Sequence, residues 1–117
     1  MSKQPILMKR DQWAKKPDQW HGRFEGYNLG GANVTVLFFS SDELGDGPPL
    51  HFHPYDEVFI IQEGNALFTV NGQTIEAKAG EIVFAPAESH HKFENTGPGR
   101  LVTTDIHCSE RFISTNV

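Results

Sequence analysis

The stretch of sequence that decides the fold reads HFHPYDEVFIIQ and covers residues 51–62. Its second half, Glu57–Gln62, is rich in β-branched and aromatic side chains and predicts a strand. Because successive side chains of a strand point to opposite faces, His51 and His53 point the same way, and Glu57 shares their odd parity. Two imidazoles and a carboxylate on one face are a typical ligand set for a divalent metal that keeps positions open for a substrate or O₂.

A fourth ligand is expected from the neighbouring His90 and His91, on a strand more distant in the sequence. The charged side chains of Lys92 and Glu94 are expected to face solvent. This orientation turns His91 and Phe93 inward and His90 outward. Parity therefore selects His91 as the fourth ligand.

Turn-forming residues separate further short strands along the chain. Asn71-Gly72 is the strongest hairpin signal, and no stretch carries a 3.6-residue apolar period over three turns. Short strands at this spacing are typical of an all-β sandwich or barrel. The predicted strands are Thr35–Ser40, Glu57–Gln62, Ala66–Val70, Gln73–Ala77, Glu81–Ala85, His91–Glu94 and Leu101–His107.

Length and composition favour a soluble globular protein with a single domain over residues 1–117. The formal net charge is −5 and the chain has no basic cluster, which argues against nucleic acid and anionic membranes as partners. No apolar run approaches the length needed to span a bilayer. The single cysteine, Cys108, excludes an intrachain disulfide and fits a reducing compartment, so we expect a cytoplasmic protein. Cys108 itself is expected to be a small buried apolar residue.

The first 25 residues carry the weakest structural signals. They contain Trp13, Trp20 and Phe24, which we expect to pack this N-terminal arm onto the body of the protein or onto a second subunit.

The predicted ligands and the glycines and proline around them resemble, in type and spacing, the two sequence motifs of the cupin superfamily. The two motifs cover residues 45–95, with 15 residues between them. The first motif is matched by Gly45, His51, His53, Glu57 and Gly64, and the second by Gly80, Pro86, His91 and Asn95. One position departs: Glu88 stands where the second motif has a glycine, which commonly permits a turn with positive φ.

The resemblance implies a double-stranded β-helix (jelly-roll) barrel and a homodimer formed through N-terminal strands, with Trp13 and Trp20 at its interface. It also implies one divalent transition metal, Fe, Mn, Ni or Zn, held by His51, His53, Glu57 and His91. Cupin activities are broad and include dioxygenases, decarboxylases, isomerases and non-enzymatic binding proteins, so the fold does not give the function.

Parity also indicates which residues could surround the metal. Phe59 and Phe93 follow the ligands into the barrel, as pocket walls or as core side chains. Asp105 and His107 share a face of the last strand; pointing inward, Asp105 is a pocket candidate and His107 a catalytic candidate. A surface Asp/His pair is the simpler interpretation of these two residues. Glu88 is a second catalytic candidate, because its carboxylate could lie near the barrel mouth.

The mixed nitrogen and oxygen ligand set disfavours a closed structural zinc site. We therefore expect a metal-dependent, dioxygenase-like enzyme acting on a small oxygen-rich, aromatic or enol substrate. A metal-dependent isomerase or decarboxylase is the nearest alternative. A non-catalytic protein that binds a small acidic ligand through its metal is a further one.

Overall fold

Two five-stranded antiparallel sheets pack face to face in the computed structural model, which describes residues 3–117. The first sheet has the order β1-β2-β9-β4-β7 and the second the order β10-β3-β8-β5-β6. A helix, α1 (Arg10–Trp13), and a 3₁₀ turn (Gly26–Asn28) lie near the N-terminus. The strands are β1 (Gly22–Glu25), β2 (Thr35–Ser41), β3 (His51–Phe52), β4 (Glu57–Glu63), β5 (Asn65–Val70), β6 (Gln73–Lys78), β7 (Ile82–Ala85), β8 (His91–Asn95), β9 (Leu101–His107) and β10 (Thr115–Asn116).

The predicted jelly-roll architecture is confirmed, and the seven predicted strands are present with ends that differ by at most one residue. Of the other three strands, β3 contains His51, which the alternation argument had placed on a strand, whereas the short edge strands β1 and β10 were not predicted. Neither Gly22–Glu25 nor Thr115–Asn116 has an alternating apolar pattern of its own. Each forms because a longer element offers it an edge: β1 pairs with β2, and β10 pairs with β3.

Side chains along the strands alternate between inward and outward positions, and the inward ones fill the space between the sheets. Along β4, Glu57, Phe59 and Ile61 point inward, and along β8, His91, Phe93 and Asn95 do so. Burial of the apolar members against each other drives the sheets together. The buried apolar core consists of Phe59, Ile61, Ala66, Phe68, Ala77, Val83, Ala85, Phe93 and Leu101.

The N-terminal arm packs on its own chain, which was one of the two expected outcomes. The rings of Trp13 and Trp20 lie 4.2 and 4.9 Å from that of Phe38 on β2. Phe24 of β1 lies on the same side, 6.2 Å from Phe38. These rings cover part of the outer face of the first sheet.

The expectation that Cys108 is buried is wrong, because its side chain is exposed. Strand β9 ends at His107, and the N–H of Cys108 donates to the carbonyl of Asp56 (3.0 Å), where the chain leaves the sheet. Asp105 and His107 are buried, so alternation along the chain places the side chain of Cys108 on the outer side.

None of the helices among residues 3–117 has the length and apolar character needed to cross a membrane.

Candidate metal centre

Four buried side chains converge at one end of the space between the sheets. His51 lies on β3 opposite His91 on β8, and Glu57 begins β4. His53 follows β3, outside the strand, but still points inward. One potential ligand atom from each of the four residues lies within 4.8 Å of the others. The structure thus brings together all four residues that the sequence predicted as ligands.

Backbone carbonyls fix the orientation of the three imidazoles. A carbonyl oxygen can only accept a hydrogen bond, so a ring nitrogen facing one carries the proton, and the other nitrogen, Nε2, is left with a free lone pair. The Nδ1 atoms lie at hydrogen-bond distance from the carbonyl oxygens of Pro49 for His51 (2.6 Å), Ile113 for His53 (2.7 Å) and Ser89 for His91 (3.0 Å).

This arrangement makes acceptors face acceptors around Glu57. Its Oε1 atom lies 3.1 Å from Nε2 of His53 and 3.1 Å from Nε2 of His91. The Nε2 atom of His53 is buried and has no hydrogen-bond partner among the described residues. Lone pairs at this separation repel each other unless a proton or a metal ion lies between them, and three imidazoles with one carboxylate are a donor set that fits a divalent metal of the Mn, Fe, Ni or Zn type.

The ionisation of the cluster suits this role. Burial alone would raise the pKa of Glu57, but this effect is outweighed, chiefly by the hydrogen bond that the carboxylate accepts from His107, so that pKa is lowered. Burial, reinforced by the neighbouring His91 and His53, lowers the pKa of His51. An anionic carboxylate and a neutral imidazole are the metal-binding forms of these groups.

His107 is buried beside the cluster, so the interpretation of Asp105 and His107 as a surface pair is wrong. The two side chains are 4% and 1% exposed, because β9 lies between β2 and β4 in the first sheet. Nε2 of His107 lies 3.0 Å from Oε2 of Glu57, and its Nδ1 lies 2.7 Å from the hydroxyl of Tyr55. His107 therefore donates to the carboxylate through Nε2, while its Nδ1 is hydrogen-bonded to the hydroxyl of Tyr55.

A cavity of about 240 Å³ opens beside the cluster. Phe59, Phe93 and Asp105, the three pocket candidates, all contribute to its wall together with His51, His53, Glu57 and His107. Oδ1 of Asp105 is buried without a hydrogen-bond partner among the described residues. Burial, and then the negative charge of Glu57, raise the pKa of Asp105 well above its ordinary range.

A family model described as "Cupin domain" matches residues 39–107, more than half of the chain. The protein belongs to this family. An uncharacterized protein of Methanocaldococcus jannaschii is 34% identical over 55 residues, which are 46% of this chain and 44% of that protein. An oxalate-binding protein of Thermotoga maritima is 31% identical over 62 residues, 50% of this chain and 51% of that protein. The matches thus span about half the length of these two relatives.

The fold of this cupin is also that of solved enzymes. A structure of Bacillus subtilis oxalate decarboxylase, whose Mn(II) centres are the subject of that work, superposes on 92% of this chain and 30% of that one. The TM-score is 0.76 and the sequence identity 22%, so the likeness concerns the fold.

Glu88, the second catalytic candidate, lies outside the cavity of this cupin. It adopts the left-handed conformation, with φ of 69°, that its place in the motif requires. Its side chain is exposed, while its N–H donates to the carbonyl of His53 (2.8 Å). Glu88 thus adopts the positive φ that the glycine of the motif commonly permits. Its carboxylate does not belong to the cavity wall described above.

Two parts of the site were not found by sequence reasoning. Tyr55 has the same odd parity as His51, His53 and Glu57, so the alternation that found the ligands could also have found it. The segment that contains Phe112 and Ile113 carries no comparable signal. It reaches the cluster because β10, which follows it, pairs with β3.

Proposed function

We propose that this cupin binds one divalent transition metal through Nε2 of the three histidines and Oε1 of Glu57. The observation that carries the proposal is the convergence of four potential ligand atoms within 4.8 Å, with the anchored Nε2 atoms of His53 and His91 each 3.1 Å from the buried Oε1 of Glu57. The three histidines are His51, His53 and His91.

His107 is proposed to be a positioning residue for Glu57. By holding Oε2 at 3.0 Å, it turns Oε1 toward the three histidines. Tyr55 in turn fixes the ring of His107 through the 2.7 Å hydrogen bond to Nδ1. Such outer-sphere hydrogen bonds orient ligands and tune the basicity of metal sites.

We further propose a dioxygenase-like enzyme whose substrate is a small oxygen-rich molecule of aromatic or enol type. A bound metal would supply Lewis-acid chemistry for the substrate's oxygen atoms and, if it is redox-active, chemistry with O₂. The rings of Phe59 and Phe93 give the cavity apolar walls, which suit a planar substrate and limit access of water. Asp105, whose raised pKa favours its protonated form, is placed to exchange a hydrogen bond or a proton with that substrate.

A second candidate function is binding without turnover. It is favoured by the similarity to the T. maritima protein, whose name describes it as oxalate-binding. A binding protein would be stabilised by its ligand and form no product. An isomerase or decarboxylase would form product with a redox-inert metal and consume no O₂.

The first test is the metal content of the protein, purified without a histidine tag and measured by elemental mass spectrometry. His51→Ala and His91→Ala should reduce the content from about one equivalent to near zero, because each removes a ligand. His90→Ala is the matched control: this neighbouring imidazole is exposed and stacks on Phe52 with a ring distance of 5.1 Å, so the metal should be retained.

The identity of the metal directs the second measurement. Iron would support the dioxygenase-like proposal and lead to O₂ uptake with a panel of aromatic and enol substrates. Zinc or manganese without O₂ uptake would favour the isomerase, decarboxylase or binding alternatives. A protein that takes up no metal even after reconstitution would overturn the proposed ligand set.

We also propose that the protein is a cytoplasmic homodimer. The exposed, unpaired thiol of Cys108 is compatible with a reducing compartment. Light scattering coupled to size-exclusion chromatography would measure the mass in solution; the mass of one 13.1 kDa chain would contradict the dimer.

A further inference from the structure

A second cavity of about 410 Å³ lies beside the cavity of the metal centre. Four residues contribute to the walls of both: Leu37, Pro48, Phe93 and Asp105. Three of them are apolar, and the fourth is the buried carboxyl whose Oδ1 lacks a partner. The two cavities therefore adjoin along a mainly apolar strip with one polar atom in it.

Basic residues also contribute to the wall of this second cavity. They are Lys15, His21 and Arg23. Among residues 3–117, neither Lys15 nor Arg23 makes an ion pair with a carboxylate. The opposing charge in the wall is Asp46, which is exposed. Unpaired cations around a cavity of a protein with net charge −5 are suited to an anionic ligand.

Contacts with neighbouring residues orient two of these basic side chains, Arg23 and His21. The guanidinium of Arg23 lies 4.4 Å from the ring centre of Phe112, which belongs to the wall of the first cavity. Nδ1 of His21 accepts a hydrogen bond from the N–H of Ser40 (3.3 Å), so its Nε2 carries the proton and can donate. Arg23 is thus positioned at the boundary between the cavities.

The unpartnered oxygen of Asp105 is the independent indication of a ligand. Buried polar atoms in folded proteins almost always have a partner, and an exception requires an explanation. Asp105 is 4% exposed and contributes to both cavities. A ligand that passes from one cavity to the other would place a donor or acceptor next to it.

We infer that the two cavities form one extended site for an aromatic or enol acid whose oxygen-bearing head and carboxylate tail lie at opposite ends. The head occupies the cavity at the metal centre, and the apolar middle contacts Leu37 and Phe93. The carboxylate lies near Arg23 and Lys15, and a hydroxyl on the connecting chain meets Asp105. The head end rests on the proposed function; the tail end rests on the second cavity alone.

Calorimetric titration of the full-length, zinc-loaded protein tests this inference without redox side reactions. The probes are catechol, dihydrocaffeate, which adds a carboxylate tail to the same head, and hydrocinnamate, which has the tail without the hydroxyls. Hydrogen bonds to charged groups are strong enough for dihydrocaffeate to bind at least about tenfold more tightly than catechol. Arg23→Gln, alone and with Lys15→Gln, should remove most of that gain, measured in each variant as the ratio of the dihydrocaffeate and catechol affinities.

Arg111→Gln is the matched control, because it removes the same charge at a site outside both cavity walls, where the guanidinium lies 3.7 Å over Tyr27. It should retain the full gain. Equal affinities for catechol and dihydrocaffeate in the unaltered protein, or a gain that survives in the double variant, would overturn the extended site while leaving the proposed function in place. Binding of hydrocinnamate that depends on Arg23, with no binding of catechol, would contradict the metal-chelating head and support the cation-lined tail.

The proposed contact between Asp105 and a hydroxyl on the connecting chain is tested by comparing two ligands that differ in that hydroxyl. Dihydroxyphenyllactate differs from dihydrocaffeate by one hydroxyl on the connecting chain and should bind several-fold more tightly. In Asp105→Leu, which keeps the approximate side-chain size, this difference should vanish while the gain from the carboxylate remains. A difference that persists in Asp105→Leu would exclude Asp105 as the partner of that hydroxyl.

Discussion

The two ends of the barrel interior are built on the same strands, but one end buries apolar side chains and the other buries polar ones. Along β4, the inward positions change from Glu57 through Phe59 to Ile61 within five residues. At one end, Phe68 and Leu101 belong to a core of apolar side chains. At the other, histidines and carboxylates are buried to the same extent.

The two ends differ in whether their buried groups find all their interactions within the protein. The apolar end is satisfied by packing alone, since its side chains exclude water and contact each other. At the metal end, Nε2 of His53 and Oδ1 of Asp105 are buried and find no hydrogen-bond partner within residues 3–117. Such atoms lower the stability of the folded protein unless a ligand supplies the missing interaction. The barrel therefore separates an apolar end, which stabilises the fold, from a polar end, whose buried groups are suited to binding a ligand.

The largest effect should come from Glu57→Gln, which removes the only carboxylate of the ligand cluster. We expect metal affinity to fall by more than about 100-fold, beyond the loss typical of outer-sphere changes, while the apo protein remains folded. Chelator competition and circular dichroism would measure the two quantities. Glu88→Gln, an exposed site, is the control, and unchanged metal affinity in Glu57→Gln would disprove the role of Glu57 as a ligand.

At the apolar end, Phe68→Ala should lower the free energy of unfolding by about 3–5 kcal/mol, because it leaves a cavity at a fully buried position. Urea titration of the apo protein would measure this loss. Phe84→Ala, on the exposed side of β7 at 55% exposure, should cost less than about 1 kcal/mol. Similar losses in the two variants would mean that the apolar end is not the stabilising end.

Removal of the metal should act at the other end. A metal that binds only the folded state, present at 100 times its dissociation constant, stabilises the protein by about 2.7 kcal/mol. Thermal unfolding with metal and with excess chelator should show this shift in the unaltered protein and lose it in His91→Ala. A shift that persists in His91→Ala would place the metal elsewhere.

The smallest effect should come from His107→Gln, which releases Oε2 of Glu57 without removing a ligand. Metal affinity should fall by about 10- to 100-fold. Tyr55→Phe, one step further from the carboxylate, should give a smaller loss in the same direction. If Tyr55→Phe weakened metal binding more than His107→Gln, the order of the hydrogen-bonded chain would be wrong.

Parity along the strands was enough to predict most of this comparison. It placed Glu57 and Phe59 on one face and distinguished His91 from His90, because a sheet with one buried face fixes which side chains point inward. Parity alone would have exposed Cys108 once His107 was taken to point inward, but the prediction treated this cysteine as a buried apolar residue. Parity gave no measure of how deeply β9 lies in its sheet, so the burial of His107 was missed.

The remaining features depend on contacts between residues distant in sequence. The pairing of β10 with β3 brings Ile113 beside His53, 60 residues earlier in the chain. The second cavity arises where β1 and the loop around Pro48 meet. No local pattern encodes either approach, because each depends on how the completed sheets place their edges.

The peptide unit of Ile113 has a consequence for the order in which the protein becomes functional. Its carbonyl oxygen lies 2.7 Å from Nδ1 of His53, and its N–H donates to the hydroxyl of Tyr55 (3.2 Å). A chain still being translated therefore presents all four ligand side chains before the group that orients one of them has been synthesised. We therefore expect full metal affinity only once the segment around Ile113 has docked against His53 and Tyr55.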